Sequence, residues 1–119
     1  MVRIKGITKN DTKAIAAYET LLLKKFPRRI RKLMLFGSKA RGTSNRNSDI
    51  DILVVLSSNG KKTTREIVAL THEPIVKYMV DISPIVVEEK FFKHWSPLLE
   101  HIKNEGITIW TNKKAKKSM

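Results

Sequence analysis

Two aspartates, Asp49 and Asp51, open the most apolar segment of the chain, whose sequence over 49–56 is DIDILVVL. A short apolar run rich in β-branched residues predicts a strand. Because residues i and i+2 of a strand point to the same face, about 6–7 Å apart, both carboxylates face one spot. Two like charges at the edge of a core repel each other and are costly to desolvate. A divalent cation removes that cost, and carboxylate oxygens are ligands that Mg²⁺ prefers.

A third carboxylate, Asp81, lies between Val80 and Ile82 in the segment 79–87, whose sequence MVDISPIVV also predicts a strand. If this strand lies beside the strand over 49–56, the three carboxylates converge. Three carboxylates can hold two metal ions about 3.5–4 Å apart, and that arrangement clamps an in-line displacement at phosphorus. Two other interpretations stay open: a salt bridge between Asp81 and a lysine, and a turn-capping role for the Asp-x-Asp pair.

The dipeptide Gly37–Ser38 ends the preceding predicted strand and is separated from the first of these aspartates by ten residues. A strand that ends in Gly-Ser before a turn or helix start presents backbone N–H groups and a hydroxyl, which together bind phosphate. The glycine lets the backbone approach a ligand closely. Lys39, Arg41 and Arg46 lie in the same loop and can neutralise phosphate charge. This segment therefore combines a predicted phosphate site with a predicted metal site.

The segments that position these residues predict the order α, β, β, α, β, α, β, which is typical of a small α/β domain. Asn10 or Asp11 can cap a first helix that runs to about Lys25, with apolar residues at helical spacing on one face. The first two strands cover 31–36 and 49–56. The polar loop between them can hold one helical turn after its glycine.

The second half of the chain predicts two more helices and two more strands. Thr63 and Glu66 have the spacing of a capping box for a second helix, which Pro74 kinks or splits. Pro84 indicates a bulge or an edge position for the third strand. A final helix precedes a short strand over 107–110, and Ser96–Pro97 can restart that helix as N-cap and first-turn residue. Its helical spacing comes from four apolar residues: Phe91, Trp95, Leu98 and Ile102.

The length of 119 residues suits one domain, and 41% hydrophobic with 29% charged residues indicates an ordered body. We expect residues 1–112 to form that domain and 113–119 to be a basic, disordered tail. The absence of cysteine excludes a disulfide framework, a thiolate zinc site and a cysteine nucleophile. The longest apolar run, Ile52–Leu56, is far shorter than the ~20 residues of a membrane span, and the N-terminus has no apolar leader segment. These features predict a soluble, cytoplasmic protein.

The formal net charge is +13, from 24 Lys and Arg against 11 Asp and Glu. Such a balance favours a polyanionic partner, which can be a nucleotide, a nucleic acid or an acidic protein surface. A solvated surface with a basic tail explains part of the same excess, because four lysines lie in the tail. The charge alone therefore does not choose among these partners.

The spacing of Gly37-Ser38, ten residues and Asp49-Ile50-Asp51 is the signature of the DNA polymerase β-like nucleotidyltransferase superfamily, which this chain resembles. The fuller string LFGSKARGTSNRNSDIDILVVL is similar to the minimal nucleotidyltransferase branch, short proteins often encoded with HEPN-domain partners as toxin–antitoxin pairs. The close match covers residues 33–56, and a looser match covers Asp81. The resemblance implies an α+β fold in which a small mixed sheet is flanked by helices.

For the aspartates, the resemblance implies a metal site. Asp49 and Asp51 bind Mg²⁺, with two ions expected, and Asp81 is a further metal ligand or the base that takes a proton from the attacking hydroxyl. The expected reaction transfers a nucleoside monophosphate, AMP from ATP, to a hydroxyl and releases pyrophosphate.

For the Gly-Ser loop, the resemblance implies nucleotide binding. Gly37 and Ser38 contact the triphosphate, with Arg41 nearby and Lys39 as an additional cation. Many family members carry arginine at the position of Lys39, and lysine keeps the charge there but loses the bidentate geometry of arginine.

The size of the chain indicates where the acceptor hydroxyl comes from. A chain of 119 residues forms the catalytic sheet and little else, so a partner protein must supply much of the acceptor site. By resemblance the acceptor is a tyrosine of a HEPN ribonuclease toxin, which makes this chain the antitoxin. A homodimer can also form if apolar surface stays uncovered. Two alternatives stay open: a non-catalytic binding module that occludes a toxin, and a nucleic-acid-binding domain driven by the net charge.

Overall fold

A computed structural model describes residues 6–43, 48–58, 60–94 and 96–112 of the chain. Within these ranges the chain forms a four-stranded sheet with helices on both faces. The predicted order of the main elements is confirmed. The polar loop contains a short helix where one helical turn was expected, and two separate helices form at each of two places where one helix was expected. The elements are α1 (Lys9–Lys25), β1 (Ile30–Phe36), α2 (Gly37–Arg41), β2 (Ile50–Leu56), α3 (Lys61–Ala69), α4 (His72–Tyr78), β3 (Ile82–Glu88), α5 (Glu89–Phe92), α6 (Pro97–Glu105) and β4 (Ile107–Thr111).

The first helix, α1, has Thr8 as its N-cap, so the prediction of Asn10 or Asp11 as the cap is wrong. Thr8 and Asp11 form a capping box in which the Asp11 N–H donates to Thr8 Oγ1 and the Thr8 N–H donates to Asp11 Oδ2, both at 3.0 Å. The helix therefore begins at Lys9, earlier than expected, and Asp11 is its third residue. The predicted end at Lys25 is confirmed.

The sheet has the strand order β3-β2-β1-β4. β1 pairs antiparallel with β2 and β4, whereas β2 and β3 run parallel. This mixed sheet flanked by helices is the predicted architecture. β2 is an interior strand that is buried on both faces, which explains its unbroken apolar run. Pro84 lies in β3 at the edge of the sheet, where a missing N–H is tolerated, so the edge alternative is confirmed.

Side chains of β2 alternate between two hydrophobic clusters, one on each face of the sheet. The larger cluster lies on the face that α1 and α3 cover. The smaller cluster lies on the opposite face, under Leu99 and Ile102 of α6. Leu53 and Val55 of β2 belong to the smaller cluster. The even-numbered residues of β2 belong to the larger cluster: Ile50, Ile52, Val54 and Leu56.

The predicted capping box of the second helix does not form. α3 begins at Lys61 with Gly60 as its N-cap, and Thr63 lies inside the helix. The Thr63 hydroxyl instead accepts a 2.8 Å hydrogen bond from the Arg29 guanidinium, a contact between distant segments that local spacing does not reveal. α4 follows as a separate helix with Pro74 in its first turn. Proline is tolerated there because a backbone N–H at that position would have no acceptor within the helix. The helix is therefore split, which is one of the two outcomes predicted for this proline.

The third strand begins later than its sequence predicts. β3 starts at Ile82 and not at Met79, because Met79 is the C-cap of α4 and has a left-handed backbone with φ 55°. Asp81 consequently lies just before the strand. The last strand, β4, lies where it is predicted.

The C-terminal helical pattern is divided between α5 and α6. Ser96 caps α6 by accepting a hydrogen bond from the Leu99 N–H, so the predicted restart is confirmed. Phe91 and Leu98 are 54% and 51% exposed, because two short separate helices do not present one continuous buried face. Trp95 lies outside the described residues, as do the predicted tail 113–119 and residues 1–5. Among the described helices, none combines the length and the apolar character of a membrane span.

Candidate active site

The predicted phosphate and metal motifs meet at one end of the sheet, because β1 ends where its antiparallel neighbour β2 begins. Phe36 pairs with Asp51, and the next residue, Gly37, opens α2 with φ 76°. A Cβ on Gly37 would overlap Asp51 Oδ2 and lie 3.2 Å from Asp51 Cγ. The left-handed backbone and this close approach both require glycine. The fold therefore sets the Gly-Ser motif directly against the second aspartate.

Asp51 in β2 and Asp49 directly before this strand form a repelling pair. Asp51 is half-buried and Asp49 is exposed, while Ile50 between them is buried in the larger cluster on the opposite face. Burial raises the pKa of the Asp51 carboxyl, and the negative charge of Asp49 raises it further; the Arg41 guanidinium acts in the opposite direction. The electrostatics thus agree with the sequence argument that this pair favours a bound cation.

Asp81 lies at the start of the strand next to this pair. β2 and β3 pair in parallel with Asp51 opposite Ser83, so the register continued by two residues brings Asp81 beside Asp49. The Ile50 N–H donates a 2.8 Å hydrogen bond to the Asp81 carbonyl oxygen, which fixes this alignment. The condition stated for convergence, that the two strands be neighbours, is therefore met.

The three aspartates also share a face of the sheet. Leu53 and Val55 of β2, and Ile85 and Val87 of β3, all pack in the smaller cluster. The aspartates occupy alternate positions that precede these residues in each strand. Since side chains of a strand alternate between faces, Asp51 lies on the smaller-cluster face. The same alternation, continued past the first residue of each strand, assigns Asp49 and Asp81 to that face as well.

The carboxylates do not form a ready-made metal cage. Among the described residues, no group of three or more His, Asp or Glu side chains is close enough together to hold a metal ion. Protein-bound Mg²⁺ usually has only one or two carboxylate ligands, and water and substrate phosphates complete the shell. The repelling pair of Asp49 and Asp51 fits an ion of that kind, completed by a nucleotide.

The Gly-Ser motif opens a short helix, as predicted for the polar loop. The first N–H groups of a helix have no acceptor within the helix and can donate to a ligand. The Ser38 hydroxyl makes no hydrogen bond to another residue in the described ranges. Gly42 ends α2 with a left-handed backbone, φ 75°. The start of α2 thus has donors for an anion beside the aspartates.

Arg41 lies on the exposed side of α2. Its guanidinium is 3.6 Å from Glu105 of α6, and the two side chains are 40% and 39% exposed. An exposed ion pair of this kind contributes only about 0–1 kcal/mol, so Arg41 can exchange Glu105 for a phosphate at little cost. The positive charge of Arg41 acts to lower the pKa of the Asp51 carboxyl.

Lys39 differs most from the sequence-based expectation. Its side chain is 0% exposed, and its Nζ donates to Asp11 Oδ2 of α1 at 2.7 Å and to the Gly6 carbonyl oxygen at 3.3 Å. α1 covers the larger-cluster face, so this ammonium is directed away from the face that carries the aspartates. The structure therefore does not support a phosphate contact by this side chain.

Asp11 is the partner that sequence reasoning missed. It is 2% exposed and lies on the buried face of α1 with Ile15 and Tyr18, at spacings of four and seven residues. The position of Asp11 on an apolar helical stripe was a sequence signal for its burial, but spacing alone does not identify the cation that pairs with it. Arg46, the other predicted cation, is in the range 44–47, which lies outside the described residues.

A comparison with known families identifies the class of the chain. The nucleotidyltransferase domain family matches residues 16–114, a range that contains the Gly-Ser motif and all three aspartates. The chain therefore belongs to the nucleotidyltransferase family.

Particular relatives are similar over most of the chain. One from Methanocaldococcus jannaschii, described as a "Putative protein adenylyltransferase", is 39% identical over 104 residues, which are 85% of this chain and 99% of the relative. A crystal structure of a toxin–antitoxin with AMP-PNP matches with a TM-score of 0.59 at 23% identity, over 84% of this chain and 76% of that chain. A tri-AMPylated Shewanella oneidensis HEPN toxin in complex with its MNT antitoxin gives a TM-score of 0.52 at 17% identity, over 87% and 77%. At these identities the two solved structures support the fold alone.

Proposed function

We propose that this nucleotidyltransferase transfers AMP from ATP to a hydroxyl of a partner protein, with Mg²⁺ and with release of pyrophosphate. The observation that carries the proposal is the contact between the Gly37 backbone and the Asp51 carboxylate, which joins a donor-rich turn to a repelling carboxylate pair. The adenylyltransferase description of the 39% identical relative supports AMP as the transferred group.

In this proposal each part of the site has its own task. The Ser38 hydroxyl and the N–H groups at the start of α2 bind the triphosphate, and Arg41 neutralises part of its charge. Asp49 and Asp51 hold Mg²⁺, which when bound offsets the charge that develops on the phosphates.

Asp81 completes the chemistry as a base. Its carboxylate is exposed and is not grouped with the other two closely enough for a three-ligand cage, so we assign it to proton transfer. It accepts the proton of the attacking hydroxyl while that oxygen bonds to the α-phosphorus and the bond from phosphorus to the pyrophosphate oxygen breaks.

The proposed acceptor is a HEPN-domain toxin, with this chain as its antitoxin and a tyrosine as the modified residue. Toxin–antitoxin structures share the fold of this chain, and the toxin in one of them is described as tri-AMPylated. The net charge of +13 suits an acidic protein surface as well as a nucleotide. We propose that residues 1–112 form the catalytic domain, that the basic tail 113–119 adds to the charge, and that the reaction takes place in the cytoplasm.

Two other functions make different predictions. A non-catalytic antitoxin that occludes its partner still protects cells when Asp51 is replaced by alanine. A nucleic-acid-binding domain driven by net charge loses affinity steeply as salt rises. A homodimer stays a prediction, which the mass of the purified protein in solution would check.

The test uses ATP labelled at the α-phosphorus, Mg²⁺ and the protein that co-purifies with the untagged chain. We expect label to move to the partner with the wild-type chain and not with Asp49→Asn. Glu73→Gln is a matched control, because it removes an exposed carboxylate in the first turn of α4, outside the proposed site. Absence of transfer by the wild-type chain, or equal transfer by Asp49→Asn, would contradict the proposal.

A further inference from the structure

We propose that Asp11 and Lys39 are positioning residues whose buried ion pair holds α2, and with it Gly37 and Ser38, at the distance from the aspartates that a nucleoside triphosphate requires. This rests on the proposed function and deepens it. Lys39 then orients the triphosphate site from behind and makes no contact with phosphate.

The helix that carries the Gly-Ser motif depends on contacts with its neighbours. α2 has five residues, and isolated helices of that length are unstable in water. On its exposed side α2 makes the 3.6 Å ion pair between Arg41 and Glu105, which is too weak to fix a position. On its buried side Ala40 packs against the larger cluster, and Lys39 forms the 2.7 Å pair with Asp11, in which the side chains are 0% and 2% exposed. The buried side of α2 therefore makes the stronger contacts, and among them the ion pair is the directional one.

Asp11 is a suitable anchor because a second donor, the Thr8 N–H, also holds its carboxylate. Asp11 Oδ2 accepts the Thr8 N–H at 3.0 Å within the capping box and also accepts Lys39 Nζ. The same ammonium donates to the Gly6 carbonyl oxygen. The ion pair thus ties α2 to the beginning of the 17-residue helix α1, which packs across the larger-cluster face.

The geometry leaves α2 little freedom in either direction. Neighbouring residues of a helix project about 100° apart, so a fixed Lys39 also fixes the direction of Ser38. A movement of α2 toward β2 is blocked, because Gly37 already lies against Asp51 without room for a Cβ. A movement away from β2 is opposed by the ion pair with α1. The triphosphate donors are held between these two contacts.

The charges of Lys39 and Asp11 are better explained by the directional hydrogen bonds that they form than by a gain in stability. Replacing a buried ion pair by apolar residues of similar volume is often neutral or stabilising, whereas removal of one partner is strongly destabilising. An apolar pair lacks the directional hydrogen bonds that set one position of α2. Stability and nucleotide binding should therefore respond differently to the two kinds of replacement.

Asp11→Asn separates positioning from direct phosphate contact. Asparagine keeps an oxygen for the Thr8 N–H but removes the charge that holds Lys39. We expect Mg²⁺-ATP to bind about 10- to 100-fold more weakly by calorimetry, with kcat/KM for ATP lowered to match and KM for the acceptor protein unchanged. If Lys39 contacts phosphate directly, its release from Asp11 leaves ATP affinity unchanged or raises it, and that result would overturn the proposal.

The double variant Asp11→Leu, Lys39→Met separates positioning from stability. We expect its Tm to lie closer to the wild-type value than that of Lys39→Met alone, while ATP affinity stays low. Wild-type ATP affinity in the folded double variant would overturn the proposal. If the double variant does not fold, Asp11→Asn decides the question. Thr8→Ala is the control for the capping box and should lower Tm without a comparable loss of ATP affinity.

The same assays distinguish failure of this inference from failure of the proposed function. A wild-type chain that binds ATP but transfers no label contradicts the proposed reaction and leaves the binding comparison valid. A wild-type chain that transfers label, together with an Asp11→Asn variant of unchanged ATP affinity, contradicts the positioning role alone.

Discussion

The two faces of the sheet make different use of the first residues of β2. On the larger-cluster face, Ile50 and Ile52 are buried from the start of the strand. On the smaller-cluster face, Asp49 and Asp51 precede the first packed residue, Leu53. Because side chains alternate along a strand, one segment can complete a core and also supply a carboxylate pair. The unfavourable desolvation of the carboxylates is then confined to one end of one face.

The helices that cover the two faces also differ, in their length. The larger-cluster face is covered by the 17-residue helix α1, whereas the smaller-cluster face has α5 and α6, of four and nine residues. Phe91 and Leu98 of these short helices stay about half exposed. The face that carries the aspartates is thus the less fully covered one, which leaves room there for the proposed nucleotide and acceptor.

Replacement of a carboxylate on the smaller-cluster face should have the largest effect. Asp51→Asn keeps the size of the side chain and removes its charge, so we expect AMP transfer to fall about 10²- to 10³-fold. The measurement is the initial rate of label transfer at saturating ATP and Mg²⁺. A rate within twofold of wild type would contradict the assignment of chemistry to this face.

Replacement of the adjacent residue, Ile52, should lower the stability of the fold. Ile52 is 1% exposed on the larger-cluster face, and Ile52→Ala should lower the free energy of unfolding by about 2–5 kcal/mol. Urea unfolding measures this loss, and Asp51→Asn, one residue away, should show none of it. A similar loss of unfolding free energy in both variants would mean that the two faces do not differ in their contribution to stability.

Gly37→Ala tests the point where the Gly-Ser motif touches the aspartate. A methyl group would overlap Asp51 Oδ2 and would sit on a left-handed backbone, so we expect ATP affinity to fall about 10²-fold. Gly42→Ala is the matched control, because it places the same strain at the other end of α2. Equal ATP affinities for the two variants would show that backbone strain, and not the contact with Asp51, matters.

The smallest expected effect is a pH dependence of stability. The pKa of Asp51 is raised in the folded chain, so the contribution of this group is present below the ordinary aspartate pKa of about 3.9 and is lost as pH rises through the raised value. Without Mg²⁺, the Tm difference between Asp51→Asn and wild type should therefore grow from acid to neutral pH. A difference that shrinks over that range would contradict the repulsion between the two carboxylates.

Residues whose role depends on local periodicity could be predicted from the sequence. The strand after Asp49 and the carboxylate pair on one face follow from spacing within a few residues, whereas the helical turn after Gly37 was one of the conformations open to the polar loop. The neighbouring strand of Asp81 could be stated only as a condition, because strand order depends on contacts between distant segments.

Residues whose role depends on distant contacts could not be predicted. Lys39 lies among basic residues in a polar loop, so its charge suggested exposure, and only the position of α1 reveals its burial with Asp11. Thr63 has the spacing of a cap but is drawn to Arg29. Met79 extends a β-rich pattern, yet the left-handed end of α4 occupies that position. In each case tertiary packing overrides a weak local preference.

A crystal structure of the chain with Mg²⁺ and a non-hydrolysable ATP analogue would show whether the aspartates and the Gly-Ser motif bind one nucleotide together. We expect carboxylate oxygens of Asp49 and Asp51 about 2.0–2.1 Å from the same Mg²⁺ ion, with the triphosphate against Gly37 and Ser38. We also expect the ion pair of Lys39 with Asp11 to stay intact. A nucleotide bound elsewhere, or a metal ion that leaves both aspartates without a ligand contact, would contradict the proposed site.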